Sequence, residues 1–238
     1  MLIKSPSERK ALQETRHNQV LKFLRDETWT SPQVLAQLLG RTITSVTKTM
    51  GQLESLGFVI RHVVPELRKT LWGITAHGLA FSWADDEEML IRPHFEPSRL
   101  APLSISHHLD TQFARLQAEQ AGWSQWLPGD RLPKGLAKRP DAVAVDPHGK
   151  SIAIEIERHV KTLKRYEAIF AIYLQSIKRD EYSAIHYICP SQQLAKQLTR
   201  VFGLIQAVPL LGERVPIGDK HRSKFQVFAL EHWPLGKL

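Results

Sequence analysis

The chain has 238 residues, of which 42% are hydrophobic, with 14 Pro, 13 Gly and a single Cys, a globular composition rather than a disordered, collagen-like or disulfide-stapled one. Lys and Arg number 32 against 24 Asp and Glu, a net charge of +8, and the length suffices for two domains with cores of their own. The lone Cys189 excludes an internal disulfide and a cysteine zinc site, which leaves oxygen and nitrogen ligands and fits a reducing, cytoplasmic setting.

The opening Met1-Leu2-Ile3-Lys4-Ser5-Pro6 turns polar at once, and no later apolar run approaches the ~18 residues of a bilayer span, so no membrane insertion is expected. Charge is unevenly spread: 11 Lys/Arg against 6 Asp/Glu in residues 1–80, 3 against 8 in 81–130, and 18 against 10 in 131–238. Two basic blocks therefore flank an acidic one. Such blocks can neutralise phosphates and release counterions, which makes nucleic acid the first partner to consider, beside the plainer alternative of a solvated basic surface.

Residues 18–26 carry Val20, Leu21, Phe23 and Leu24 at helical spacing. Ser31-Pro32 offers an N-cap and a first-turn proline for a second helix that Gly40 ends. A third, over 42–56, puts Val46, Met50 and Leu53 on one face and Thr44, Ser45, Thr47, Lys48 and Gln52 on the other. Residues 57–64 and 70–75 read as strands joined by the basic turn Pro65-Glu66-Leu67-Arg68-Lys69. Three helices followed by a basic-tipped hairpin resemble the winged helix-turn-helix domains of bacterial regulators, over roughly residues 16–80. The resemblance implies base contacts from Thr44, Ser45, Thr47, Lys48 and Gln52 and phosphate contacts from Arg61, Arg68 and Lys69, or else a winged helix used for protein contact alone.

From 83 to 102 the chain is acidic, Asp85-Asp86-Glu87-Glu88, and then contains Pro93, Pro97 and Pro102 without a sustained period. A linker is expected there, between a domain over 1–82 and another over 103–238.

An amphipathic run from Ser106 to about Glu119 predicts a helix that opens the second domain. Residues 139–145 and 151–157 read as a hairpin, with Asp141 where the first strand begins. Alternation places Glu155 and Glu157 on one face of the second strand, opposite Ile154 and Ile156, so three carboxylates gather. Such carboxylates raise one another's pKa unless a cation lies between them, and their hard oxygens suit Mg²⁺ or Mn²⁺. Lys161 follows Glu157 by four residues, where an ammonium could stabilise a pentacoordinate phosphate. Further on, a helix is expected over about 160–178, an apolar strand over 184–189, a helix from Ser191 to about Phe202 and a late strand over 225–230.

The Pro140-Asp141 pair and Glu155-Ile156-Glu157 resemble the PD-(D/E)xK nuclease motif, with Glu157 at the usual lysine position and Lys161 as the displaced lysine. The implied fold is α+β or α/β, an N-terminal winged helix followed by a restriction-endonuclease-like domain. Over most of the chain, residues 154–166 (Glu-Ile-Glu, Lys161, Arg165-Tyr166) behind a winged helix resemble the MOBC-type relaxases of mobilisable plasmids and their replication-relaxation relatives. That resemblance implies metal-dependent, site-specific nicking of one DNA strand at a transfer origin. It carries metal roles to Asp141, Glu155 and Glu157, with Glu157 alternatively a general base. Transition-state stabilisation goes to Lys161, a nucleophile role to Tyr166, and DNA contacts to Lys164 and Arg165. An accessory mobilisation protein and a coupling protein are the partners it implies, besides double- and single-stranded DNA.

Tyr166 also shares a helical face with Phe170 and Tyr173, as a packed aromatic would. On one regular helix Lys161 and Tyr166 would point about 140° apart, so their cooperation requires the helix to begin after Lys161. Metal-bound water is the alternative nucleophile. No His-x-His pair of the larger relaxase class occurs, His107-His108 being adjacent, while His159 stands near Glu157 and Lys161 as a phosphate contact. A Gly-x-x-x-x-Gly-Lys-Ser/Thr loop is absent, so nucleotide hydrolysis is not supported. The alternative from another class is a non-catalytic DNA-binding regulator or accessory factor whose nuclease-like domain has lost activity.

Overall fold

The computed structural model describes residues 5–234, so the opening Met1–Lys4 lies outside the described residues. The chain divides into two compact units, 1–112 and 113–238.

The first unit begins with α1 (Pro6–Glu27), started by a capping box: the Ser5 hydroxyl accepts from the Glu8 N–H at 3.2 Å and the Glu8 carboxylate accepts from the Ser5 N–H at 3.1 Å. It begins twelve residues before the apolar run that announced it, since no side chain before Val20 is buried and hydrophobic spacing cannot register that stretch. The Ser5-Pro6-x-Glu8 cap was the available signal. After β1 (Trp29–Thr30) come α2 (Pro32–Leu39), capped by Ser31 and ended by Gly40 in the left-handed conformation, and α3 (Ile43–Ser55), capped by Thr42. The hairpin of β2 (Val59–Val64) and β3 (Lys69–Ile74) follows, with Arg68 at φ 49° in its tip, and then the short α4 (Ala76–Ala80). The sheet is antiparallel in the order β1-β3-β2. β1 was not anticipated, being too short for any period.

The expected linker is not a free spacer, because residues 83–95 lie on the first unit. The Arg25 guanidinium, buried at 5% exposure, donates to both Glu87 oxygens at 2.8 Å and to the Ser82 carbonyl at 2.9 Å, with its face 4.0 Å from the Trp83 ring. The Phe95 N–H donates to the Ile74 carbonyl at 2.8 Å, and its buried ring fills the space over Gly73, where a Cβ would come within 2.0 Å of it. Single residues do this anchoring, so no periodic pattern announced it. The next helix, α5 (Pro102–Gln120), starts at Pro102 rather than Ser106 and contains the boundary between the units.

The second unit holds β4 (Ser124–Pro128), β5 (Ala142–Val145), β6 (Ser151–Ile156), α6 (Leu163–Lys178), β7 (Ala184–Cys189) and α7 (Gln192–Gly203). The hairpin β8 (Ala207–Leu210) and β9 (Glu213–Pro216), α8 (Asp219–Arg222) and β10 (Phe225–Ala229) complete it. The five-stranded sheet runs β10-β7-β6-β5-β4, antiparallel across β4, β5 and β6 and parallel across β6, β7 and β10. α6 and α7 make the crossovers that parallel pairs require. β6 is therefore central and almost wholly buried, with Ile152, Ile154 and Ile156 in one apolar cluster beside Ala114, Ala118 and Trp233, and Ala153 in the other beside Tyr166, Phe170 and Tyr173. In that second cluster the Phe202 ring meets the edges or faces of Tyr166, Phe170 and Tyr187 at 4.8 to 5.1 Å, pairs worth about 0.5–1.5 kcal/mol each beyond burial. β4 and the β8–β9 hairpin were not anticipated, since their burial alternates weakly or not at all.

Candidate functional site

Antiparallel pairing of β5 with β6 sets Ala142 opposite Ile154, so the residue before β5 and the residues ending β6 lie at the same end of the two strands. Asp141 is held there in two ways: its N–H donates to the Ile154 carbonyl at 2.9 Å and its carboxylate accepts from the Ile156 N–H at 2.7 Å. Gly129 supports the same corner, since its N–H reaches the Asp141 carbonyl at 2.7 Å and a Cβ there would stand 2.3 Å from the Pro140 carbonyl.

The alternation of β6, carried one residue past its end, turns Glu155 and Glu157 to one face, where they meet Tyr173 and Tyr166. Both are buried. Glu155 accepts from the Tyr173 hydroxyl and pairs with the Lys138 ammonium at 2.5 Å. Burial pushes the Glu155 carboxyl above the ordinary carboxylate range, the Asp141 charge adds to the rise, and Lys138 opposes it. Glu157 accepts from the Lys161 ammonium and, at 3.0 Å, from the Tyr166 hydroxyl, which itself accepts from the Lys161 N–H at 3.1 Å.

α6 begins at Leu163, capped by Thr162, so Lys161 precedes the helix and both Lys161 and Tyr166 reach Glu157. A threonine at the cap position was the sequence signal for this start. Tyr166 is also fully buried, its ring 5.1 Å from Phe202, and burial with the nearby Glu157 pushes its hydroxyl well above the usual tyrosine range. Tyr166 therefore packs as an aromatic of the core while its hydroxyl hydrogen-bonds Glu157.

Lys138, Tyr173 and Tyr187 belong to this corner without having been assigned roles. The Tyr187 hydroxyl is buried without a hydrogen-bond partner among the described residues, with Glu155, Glu157, Tyr166 and Asp141 all close enough to act on it electrostatically. Burial and Glu157 push the Cys189 thiol up to about 12, which keeps it protonated. The three carboxylates lie at one end of β5 and β6, yet among the described residues no three His, Cys, Asp or Glu side chains are grouped so as to hold a metal ion. Glu155 is paired with Lys138 and Glu157 with Lys161.

In the first unit, Thr44, Thr47 and Lys48 are exposed on α3, Ser45 and Gln52 half-buried, and Val46, Thr49, Met50 and Leu53 face inward. The Thr47 hydroxyl donates to the Ile43 carbonyl at 2.9 Å. Arg61 and Arg68 are exposed on the hairpin and Lys69 is half-buried, while Lys164 and Arg165 are exposed in the first turn of α6. His108 stacks on Trp29 at 4.3 Å and contacts Gln112 at 2.8 Å, a structural position in which burial pushes its pKa down. His159 is exposed.

Among the described residues no helix is long and apolar enough to cross a membrane. Neither a family model nor a curated protein matches this chain. A solved structure of Lactococcus lactis ZitR, the C30AH42A mutant in apo form, is similar over 32% of this chain at 16% identity and a TM-score of 0.27. The chain spans 58% of that structure, and likeness at this level carries no argument about fold or function.

Proposed function

We propose that this protein nicks one strand of DNA at a specific site, in the manner of a plasmid-mobilisation relaxase. Its first unit serves as a winged helix that finds the site, and its second as a PD-(D/E)xK-like domain that cuts. The observation that carries the proposal is the placing of Asp141, Glu155, Glu157 and Lys161 at the same end of β5 and β6, next to the amino end of α6. The element order supports it too: a helix, three antiparallel strands, a crossover helix and a parallel strand, with the aspartate before the second strand and the glutamates ending the third.

Within this site Lys161 would stabilise charge growing on a phosphate, aided by the helix amino end and by exposed Lys164 and Arg165. Tyr166 acts as a positioning residue that holds Glu157, which leaves water as the attacking group. The carboxylate oxygens fit Mg²⁺ or Mn²⁺ in kind, and the unpartnered Tyr187 hydroxyl is a group that a bound species would satisfy. Asp141, Glu155 and Glu157 would hold the ion once the lysines yield, and the ion would supply positive charge to the phosphate under attack.

A second reading, a DNA-binding regulator or accessory factor without catalysis, draws on the ion-paired state of both glutamates. Relaxation of supercoiled DNA carrying the target site, with Mn²⁺, Mg²⁺ or EDTA, separates the two. The nicking proposal expects metal-dependent open circles with free ends, abolished by Glu155→Ala or Lys161→Ala while DNA binding persists. Open circles with a protein-blocked end would return the nucleophile role to Tyr166, and binding without any relaxation would favour the regulator.

A further inference from the structure

Between the exposed half of α1 and α3 lies a groove of 300 Å³ whose lining is unlike a helix contact. Arg9, Gln13, Arg16 and His17 fall on one face of α1, and Lys48 and Gln52, one turn apart on α3, lie across from them. Adjacent helices normally close over apolar ridges. Here no apolar side chain and no carboxylate lines the gap.

Among the described residues Arg9, Arg16 and Lys48 make no ion pair, and the shielded Nε2 of His17 has no hydrogen-bond partner. Cations gathered without a counter-charge repel one another, and a polar groove that keeps them is a place where an anion is stabilised. The α1 residues concerned bury no side chain in the core, so packing does not explain their arrangement.

We propose that this groove grips the sugar-phosphate backbone of duplex DNA, with Arg9 and Arg16 each on a phosphate and Lys48 between the two helices contributing to the same contact. The proposal rests on α3 being the DNA-reading helix, and it extends the DNA footprint to α1. It also moves Lys48 from base reading to the backbone, so that its loss weakens binding to every sequence alike.

The test is binding of the full-length double variant Arg9→Gln/Arg16→Gln to the target duplex and to an unrelated duplex, measured across a salt series. Both affinities should fall by about tenfold or more, and the slope of log K against log salt should shrink by about two, with helix content by circular dichroism unchanged. An unchanged slope overturns the proposal. Thr44→Ala/Thr47→Ala, both outside the groove, serves as the control for α3: lost discrimination at full salt slope upholds α3 as the reader, so that a failure of the arginine variant then counts against the groove alone. If neither variant alters binding, the groove and the DNA-reading role both fall. Orthophosphate that stabilises the wild type but not the arginine variant, with the DNA slope unchanged, would make the groove a small-anion site and overturn its assignment to DNA.

Discussion

Glu155 brings the most opposed forces onto one side chain. Burial and the Asp141 charge push its pKa up, Lys138 and the Tyr173 hydroxyl pull it down, and the rise prevails. An acid whose pKa is higher in the folded than in the unfolded state binds more protons when folded, so its contribution is fully present below the ordinary value of 4.5 and is lost as pH rises through the raised one. Glu155→Gln keeps an acceptor for Tyr173 and Lys138 but cannot ionise. It should flatten the fall in unfolding free energy above pH 4.5, read from urea titrations at several pH values; a variant with the wild-type slope would assign that pH dependence elsewhere. The lone thiol gives a second test. Cys189 is buried and pushed up to about 12, so native protein should resist iodoacetamide at pH 8 and react only once unfolded in urea. Alternation along 151–157 was enough to put Glu155 and Glu157 on one face. The Glu155 partners Lys138 and Tyr173 arrive from the segment before β5 and from α6, and nothing local to β6 announces them.

At the scale of elements, the stretch between α4 and α5 shows how a segment without periodicity becomes ordered. Phe95 packs against Gly73 of β3, and only a residue without a Cβ leaves room for its side chain. Gly73→Ala should cost about 1–3 kcal/mol through overpacking, measured by denaturant unfolding. Phe95→Gly removes both the ring and the Cβ that would lie 2.4 Å from the new methyl, so adding Gly73→Ala to it should cost little, and a double variant as damaged as the sum of the two would exclude this contact as the cause. α1 is the opposite case: its amino half is specified by the capping box and local propensity with no core contact, so its first residues were readable from Ser5, Pro6 and Glu8 rather than from apolar spacing. α6 likewise starts where Thr162 caps it, and that one cap decides that Lys161 and Tyr166 meet at Glu157 instead of pointing apart.

For the whole molecule, the two basic blocks separated by an acidic one correspond to two units, but the acids do not form a spacer, since Glu87 is bound to Arg25. If the carboxylate corner accepts Mn²⁺ in place of its lysine partners, the ion binds the folded state alone and stabilises it, by about 2.7 kcal/mol at a hundredfold excess over Kd. Thermal unfolding of the intact chain should then shift upward with Mn²⁺, return with EDTA, and show no shift in Glu155→Gln. A wild type that melts at the same temperature with and without Mn²⁺ would count against a metal at this corner, whatever the DNA assays show.

Terms that act between near neighbours determined much of this protein from sequence alone: caps at Ser31, Thr42 and Ser191, the hairpin over 59–74, the hydrophobic runs of β6 and β7, and the face shared by Glu155 and Glu157. Tertiary structure alone decided the pairing of Lys138 with Glu155, the orphaned Tyr187 hydroxyl, the anchoring of Glu87 and Phe95, and the cationic groove between α1 and α3. The reason is the range of the forces: periodicity and capping act within a few residues, whereas the neutralisation of a buried charge depends on which distant cation the packed chain brings within a few ångströms.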